Sequence, residues 1–476
     1  MKKLKYYSLI LTSLILFSQC NEDLTELNVD PNNAVIVAPS TLLTTAQYNF
    51  YSNLQGTTIN ADWGLLMVQQ WAQNEYTEDS RYNQDITFFN GTWSGMYSNV
   101  LKELDAAKTL VAGQDLSSEI IANKNSILDV MSVQAYAFLT DGFNDIPYTE
   151  AIAGIDLPSY DSQETVYKGI LETLETAANN FSASSPSFTS GEIIYNGDVS
   201  KWQKLTHSLM LRYAMRIVDA DQTTAQKYIN IAVNNLIDSN SDNALFTFEA
   251  SLARANPLFV NNSPQGGNRD DYAVSEYLVT TLNNLGDPRL QEFAKEASSG
   301  TIVGMPYGLS DNDATVLKPT TSRPNDNVRS ATTPHVVMSY AEVQFLLAEA
   351  YQRGLVSGDA AAAYNNAVTA SMNYWGITDS AAIANYLSVN SYNATNWKAS
   401  IGIQKWIALY MNGFEAWNEW RRLDYPQLSA PAEAVINTIP VRFPYPLSET
   451  QTNSAKLDAV TSNPGELTSK VWWDVN

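Results

Sequence analysis

Ser339-Tyr340-Ala341-Glu342-Val343-Gln344-Phe345-Leu346-Leu347-Ala348-Glu349-Ala350-Tyr351-Gln352-Arg353-Gly354 is a helix whose two ends can be read from its residues. Ser339 followed three positions later by Glu342 is a capping box, in which the hydroxyl and the carboxylate satisfy free amides of the first turn. The helix runs to Arg353, and Gly354 supplies a left-handed stop. A partner helix from Asp359 to Tyr374 follows at once. Two helices joined by so short a turn form a hairpin, and stacked hairpins of this kind make tetratricopeptide-like arrays.

Working outward, helical periodicity begins at Leu42, and segments near 42–53, 61–74, 92–112 and 119–140 read as helices. Val166, Ile170, Leu171, Leu174, Ala178 and Phe181 then recur at helix spacing as one buried stripe. Helices near 199–219 and 223–237 follow. Strand signal is sparse, with Ala244 to Phe248 and Val336 to Met338 the best short candidates. The fold class is therefore mainly α, a tetratricopeptide-like helical-hairpin scaffold with its pairs in 41–238 and 339–425. Residues 239–335 break the pattern: they are rich in Asn, Asp, Gly and Pro, with one clear helix near 272–285, and suit a loop-rich insertion, even a second lobe. An irregular C-terminal region, 426–476, ends in Trp472-Trp473.

The N-terminus reads as a processing signal. Lys2, Lys3 and Lys5 precede an apolar run, Tyr6 to Phe17, that is too short to span a bilayer comfortably. Cys20, the only cysteine, follows Ser18-Gln19. Residues 1–19 suit a lipoprotein signal peptide cut before a lipidated Cys20, with 20–40 as tether and 41–476 as the folded domain. Phe17 and Gln19 stand where Leu and Gly or Ala are usual, so the alternative is a plain secretory signal with an incidental cysteine.

The chain has 50 Asp and Glu against 28 Lys and Arg, a formal net charge of −22. Such a surface repels nucleic acid and anionic headgroups, which leaves the lipid as the expected membrane attachment. There are 11 Trp and 26 Tyr, enough for an aromatic core or for a surface that stacks on sugar rings.

Catalytic signatures are scarce. Two histidines, His207 and His335, leave little for a zinc site or a serine triad, and His207 lies within an apolar helix as a packed residue would. No phosphate loop or dinucleotide fingerprint occurs, and no cofactor is expected. Carboxylates are the remaining resource: Asp141 with Asp145, and Glu415 with Glu419, have the pairing that glycoside hydrolysis uses. Charged helix faces produce the same spacing, with Glu415 and Glu419 meeting Arg421 and Arg422. Ser310-Asp311-Asn312-Asp313 offers clustered oxygens to a calcium ion near Asp311, but the EF-hand pattern fails at Val316 and Ser322, and an acidic turn fits better. The stronger candidates are loop aromatics, amides and arginines. Trp71, Asn74, Tyr76, Arg81 and Tyr82 form one group, and Asn261, Asn262, Arg269 and Tyr272 another. Sugar rings lie on aromatic planes while amides and charged groups bond their hydroxyls; a peptide could use the same side chains.

Several stretches together resemble the SusD/RagB family of nutrient-binding outer-membrane lipoproteins. They are the quoted helix, Gln404 to Arg422, Leu27 to Pro31, Asp287-Pro288-Arg289-Leu290, Arg442 to Pro446 with Glu449, and Val471-Trp472-Trp473-Asp474. The last is similar to the branch that ends in a Trp-Trp-Asp motif. The resemblance implies a cell-surface, lipid-anchored outer-membrane protein that captures oligosaccharides or peptides for a SusC-like TonB-dependent transporter and is not an enzyme. Asn21-Glu22-Asp23 after Cys20 resembles a surface-export signal. Glu349, Glu415 and Trp417 fall on scaffold helices, and ligand positions of the family lie in variable loops that no motif transfers. The alternatives are a helical-barrel glycoside hydrolase with two of these acids as its machinery, and an interaction scaffold with no small ligand.

Overall fold

The hairpin expected at 339–374 is present as helices Tyr340–Gln352 and Ala360–Tyr374 in a computed structural model that describes residues 37–476. Cys20 and its signal fall outside the described residues. Ser339 Oγ accepts the Glu342 amide at 3.2 Å. The reciprocal half of the capping box is replaced: the Glu342 carboxylate accepts Arg212 Nε at 2.7 Å and Nη2 at 2.6 Å. A charge-assisted bond to a buried guanidinium is stronger than one to a backbone amide, so tertiary contact takes the carboxylate. Gly354 has φ of +71°. The Leu355 amide returns to the Ala350 carbonyl at 2.9 Å and closes the helix end.

The same unit recurs along the chain. Ser118–Phe143 packs on Gln163–Asn180, Val199–Arg216 on Gln222–Ala232, and Trp397–Ala408 on Gly413–Leu423. Ser162, Asp198 and Asp221 each cap a first turn with a side-chain oxygen. The stripe from Val166 to Ala178 is buried, as its spacing requires.

Two helical expectations are corrected. The segment near 61–74 is a π-helix, Thr57–Leu65, that gives way to strand β1, Trp71–Gln73. Residues 272–285 open with a strand before the helix Glu276–Leu285 begins. Numbered along the chain, the remaining strands are β2 (Ala244–Phe246), β3 (Tyr272–Val274) and β4 (His335–Met338). Strands β1 and β3 pair antiparallel, Trp71 opposite Val274 and Gln73 opposite Tyr272. Pairing between residues so far apart leaves no trace in local periodicity. Strands β2 and β4 pair across the two ends of the loop-rich insertion. Through both ladders that insertion belongs to the single unit formed by residues 39–476 and is not a lobe apart.

The π-helix meets the helix Gly413–Leu423 at backbone distance. A Cβ on Gly64 would stand 2.3 Å from the Gly413 carbonyl carbon. Asn60 Oδ1 accepts the Gly413 amide at 2.8 Å. Around this crossing the aromatic residues form the core. Trp417 and Phe443 stack with centroids 5.4 Å apart, and the Phe89 and Phe443 centroids are 3.9 Å apart. Most of the tryptophan is structural: Trp63, Trp71, Trp202, Trp406, Trp417 and Trp473 are all fully buried.

Candidate functional site

The carboxylates first considered for catalysis are consumed by an ionic spine that joins the helix pairs. Asp141 accepts from Tyr167, Arg216, Asn418 (3.3 Å) and Trp473 (2.9 Å). Glu415 pairs with Arg216, whose side chain is fully buried. Glu419 meets Lys405 at 2.9 Å and Arg422 at 2.7 Å, and Arg422 also holds Glu349 at 2.5 Å. Glu419 thus pairs with Arg422 of its own helix, as its spacing leads one to expect, and also with Lys405 from another. Glu415 pairs with Arg216 from another helix, and all of this lies inside the protein and not along an exposed face. Arg422, Lys405 and Arg216 hold the Glu419 carboxyl well below its ordinary range despite burial. Asp145 accepts the Gln163 amide at 3.0 Å. Asp141 has both oxygens bonded, and Glu415 and Glu419 are ion-paired in the interior, so the acids on which the hydrolase alternative was built hold helices together.

Asp311 accepts the Thr77 amide at 2.9 Å, and Ser310 caps the helix Asp311–Leu317 with Asp313 bonded to its hydroxyl at 2.8 Å. These oxygens hold a turn together. His207 is buried in Val199–Arg216, and burial lowers its basicity. His335 is also buried, pushed down to about 3 by burial and by the Arg212 charge, with Nδ1 3.1 Å from Gln55 Oε1.

The two loop groups meet in one open cleft of about 570 Å³, at the end of the β1–β3 ladder. Tyr76 from the first group and Asn261, Arg269 and Tyr272 from the second all line it, with Thr57, Asp62, Gln73, Asp79 and Asp271. Tyr76 sits at φ of +53° and is 56 % exposed, so the backbone turn after β1 holds its ring outward. The Arg269 guanidinium stands 4.5 Å from that ring's centroid and donates to Asp271 at 2.7 Å, which keeps the Tyr76 plane fixed. Asn262 donates to the Arg269 carbonyl at 2.7 Å, so it braces the loop from behind.

The other members go elsewhere, which corrects the expectation for them. Trp71 and Tyr82 are each 1 % exposed, and Asn74 is wholly buried. Trp71 donates to the Tyr410 hydroxyl at 3.0 Å, inside the core. Arg81 turns to the Thr77 carbonyl at 3.3 Å. Alternation explains much of this: a strand places successive side chains on opposite faces, and here both faces are covered.

The floor of the cleft is acidic, and sequence reasoning missed it. Tyr272 donates its hydroxyl to Asp62. Asp79 accepts Gln73 at 3.2 Å and Gln84 at 3.3 Å. Burial first, and the neighbouring Asp79 charge second, push the Asp62 carboxyl up to about 8; burial likewise raises Asp79 to about 6. The signal was available in Ala61-Asp62-Trp63, an acid within an otherwise apolar run. What the site offers is one exposed ring, one guanidinium and the Asn261 amide, over carboxyl oxygens held by neighbouring donors.

Residues 31–446 match the SusD-like family described as starch-binding and associating with the outer membrane. No curated protein sequence matches. Among solved structures, a chitin-binding protein is 28 % identical, with a TM-score of 0.82, over 92 % of this chain and 100 % of that one. A chitin-binding SusD homolog from Flavobacterium johnsoniae is 22 % identical with a TM-score of 0.80, over 91 % of this chain and 99 % of that one. A SusD homolog from Bacteroides fragilis is 24 % identical with a TM-score of 0.77, over 92 % and 99 %. The last two, at such identity, speak for the fold. No helix among the described residues is long and apolar enough to cross a membrane.

Proposed function

The chain belongs to the SusD-like family of starch-binding proteins associated with the outer membrane, and from that premise we propose that it is a surface lipoprotein, anchored through Cys20, that binds oligosaccharide and hands it to a SusC-like TonB-dependent transporter. The observation that carries the binding role is the convergence of Tyr76, Asn261, Arg269 and Tyr272 in one cleft. A pyranose ring lies with its C–H face on Tyr76, while Arg269 and Asn261 bond its hydroxyls. Ring and guanidinium are already oriented, so little freedom is lost when ligand arrives. The chitin-binding protein of 28 % identity makes a β-linked N-acetylglucosamine oligomer the first ligand to try.

Retention without cleavage is the expected chemistry. Asp62, Asp79 and Asp271 each hold a neighbouring donor, so their oxygens position the site's own side chains. Calorimetric titration with chito- and malto-oligosaccharides, followed by product analysis, tests this reading. Binding that falls about tenfold in Tyr76→Ala, with the sugar recovered intact, supports it. Unchanged affinity in that variant, or turnover abolished by Asp62→Asn, overturns it.

A further inference from the structure

The acids under the Tyr76 cleft lack what the acids of the ionic spine have. In the spine Asp141 and Glu415 meet Arg216, and Glu419 meets Arg422 and Lys405. Among the described residues, Asp62 and Asp79 are met by neutral donors alone, the Tyr272 hydroxyl on Asp62 and the Gln73 and Gln84 amides on Asp79. The one basic side chain in the lining, Arg269, gives its Nε to Asp271 at 2.7 Å. Three carboxyl groups thus share a single cation.

Two of these acids also keep an oxygen for a ligand. Tyr272 occupies Oδ1 of Asp62, and Arg269 occupies Oδ2 of Asp271. The other oxygen of each has no donor among the described residues, and neither oxygen is sealed from solvent. Asp62 is half-buried and Asp271 only 7 % exposed, and both line the open cleft. Carboxyl groups gathered in such a place oppose one another's ionisation. Burial and then the Asp79 charge push Asp62 up to about 8; the Tyr272 hydroxyl and Arg269 oppose the rise, and Asp271 adds to it. A ligand cation relieves that repulsion, whereas a ligand anion adds to it. Hydroxyl and N-acetyl groups are neutral, so the sugar substituent that brings a positive charge is a free amine.

We propose that the Tyr76 cleft selects amino sugars: a hexosamine unit with a free amine, as in partly deacetylated chitin, lies on the Tyr76 ring and sets its ammonium against the open oxygen of Asp62, with the Asp271 charge in support. This selectivity rests on the oligosaccharide reading of the cleft and narrows it to the charge of the ligand. An amine fixed directly to a pyranose stays close to a ring stacked on Tyr76. A lysine ammonium hangs on a flexible stem with no plane to stack.

Calorimetric titration of the full-length protein in detergent near pH 7, where such amines are largely protonated, tests the assignment with three ligands. They are chitotetraose, the same tetrasaccharide with one residue deacetylated, and Gly-Lys-Gly amide. The deacetylated sugar is expected to bind about tenfold tighter than chitotetraose, and the lysine peptide more weakly than either. In Asp62→Asn, which keeps the side-chain shape and an oxygen for Tyr272, the preference falls to within about twofold. The chain carries a formal net charge of −22, so losing one carboxylate leaves its general attraction for cations nearly intact. A preference lost in that variant therefore belongs to the cleft. Equal or weaker binding of the deacetylated sugar, an unchanged preference in Asp62→Asn, or a lysine peptide as tight as the amino sugar overturns the proposal. If chitotetraose still binds in those cases, the oligosaccharide reading stands; if neither sugar binds, both fall.

Discussion

The ionic spine and the Tyr76 cleft are built from the same side chains, and they do opposite things. In the spine, Asp141, Arg216, Glu415, Glu419, Arg422 and Glu349 pair with one another inside the helix pairs. In the cleft, Asp62, Asp79, Asp271, Arg269 and Tyr76 stand around open volume, with the ring of Tyr76 turned to solvent. Acid, guanidinium and aromatic residues therefore do not mark a binding site by type. What separates the two regions is whether the groups close on one another in the interior or keep a ring and a guanidinium in solvent. The spine fixes the helix pairs, while the cleft keeps the Tyr76 ring and the Arg269 guanidinium exposed.

The contrast can be broken most strongly at Arg216. Replacing Arg216 with Ala strands the buried Asp141 and Glu415, and a stability loss of about 3–5 kcal/mol is expected in urea unfolding. Sugar affinity of the fraction that stays folded should not change. The reverse signature is expected at Arg269, which touches the Tyr76 ring from a largely exposed position. Arg269→Ala should reduce oligosaccharide affinity about tenfold in calorimetry and leave the urea midpoint nearly unmoved. If both variants lose stability alike, the division between spine and cleft is wrong.

A smaller effect sharpens the scaffold side. Ser339→Ala removes only the surviving half of the cap, since Glu342 is already committed to Arg212, and about 1 kcal/mol of stability should go. The smallest effect concerns the cleft floor. Asp62 keeps its proton to about 8 in the folded chain, against an ordinary value of 3.8 when unfolded. Between those values the folded state binds more protons than the unfolded one, so this group lowers stability progressively as pH rises from about 4 toward 8. Asp79, raised to about 6, acts in the same sense over a narrower range. Asp62→Asn should therefore match the wild type in melting temperature near pH 4 and become the more stable of the two above pH 8. A difference that stays constant across this range would contradict the assigned proton.

Legibility in the sequence follows the range of the interactions. The cap at Ser339 and the stop at Gly354 lie within one helical turn of what they terminate, and each appears where its residues place it. The site was half legible. Tyr76, Asn261, Arg269 and Tyr272 were named from loop chemistry, but that they share one cleft was not. Trp71 and Tyr82 were indistinguishable from Tyr76 by type and neighbourhood, and only the packing of β1 against β3 and the core buried two of the three. Glu342 was read as a cap and became an ion-pair partner because Arg212 approaches from another helix.

By itself the sequence determined the helical hairpins, their ends, the acidic surface and the family, since short-range periodicity and local capping chemistry carry all of these. The tertiary structure decided which acids are spent in the interior, which ring stays in solvent, and where the two loops meet. Those outcomes depend on contacts between residues hundreds of positions apart, and on competition for each donor that no local window of sequence contains.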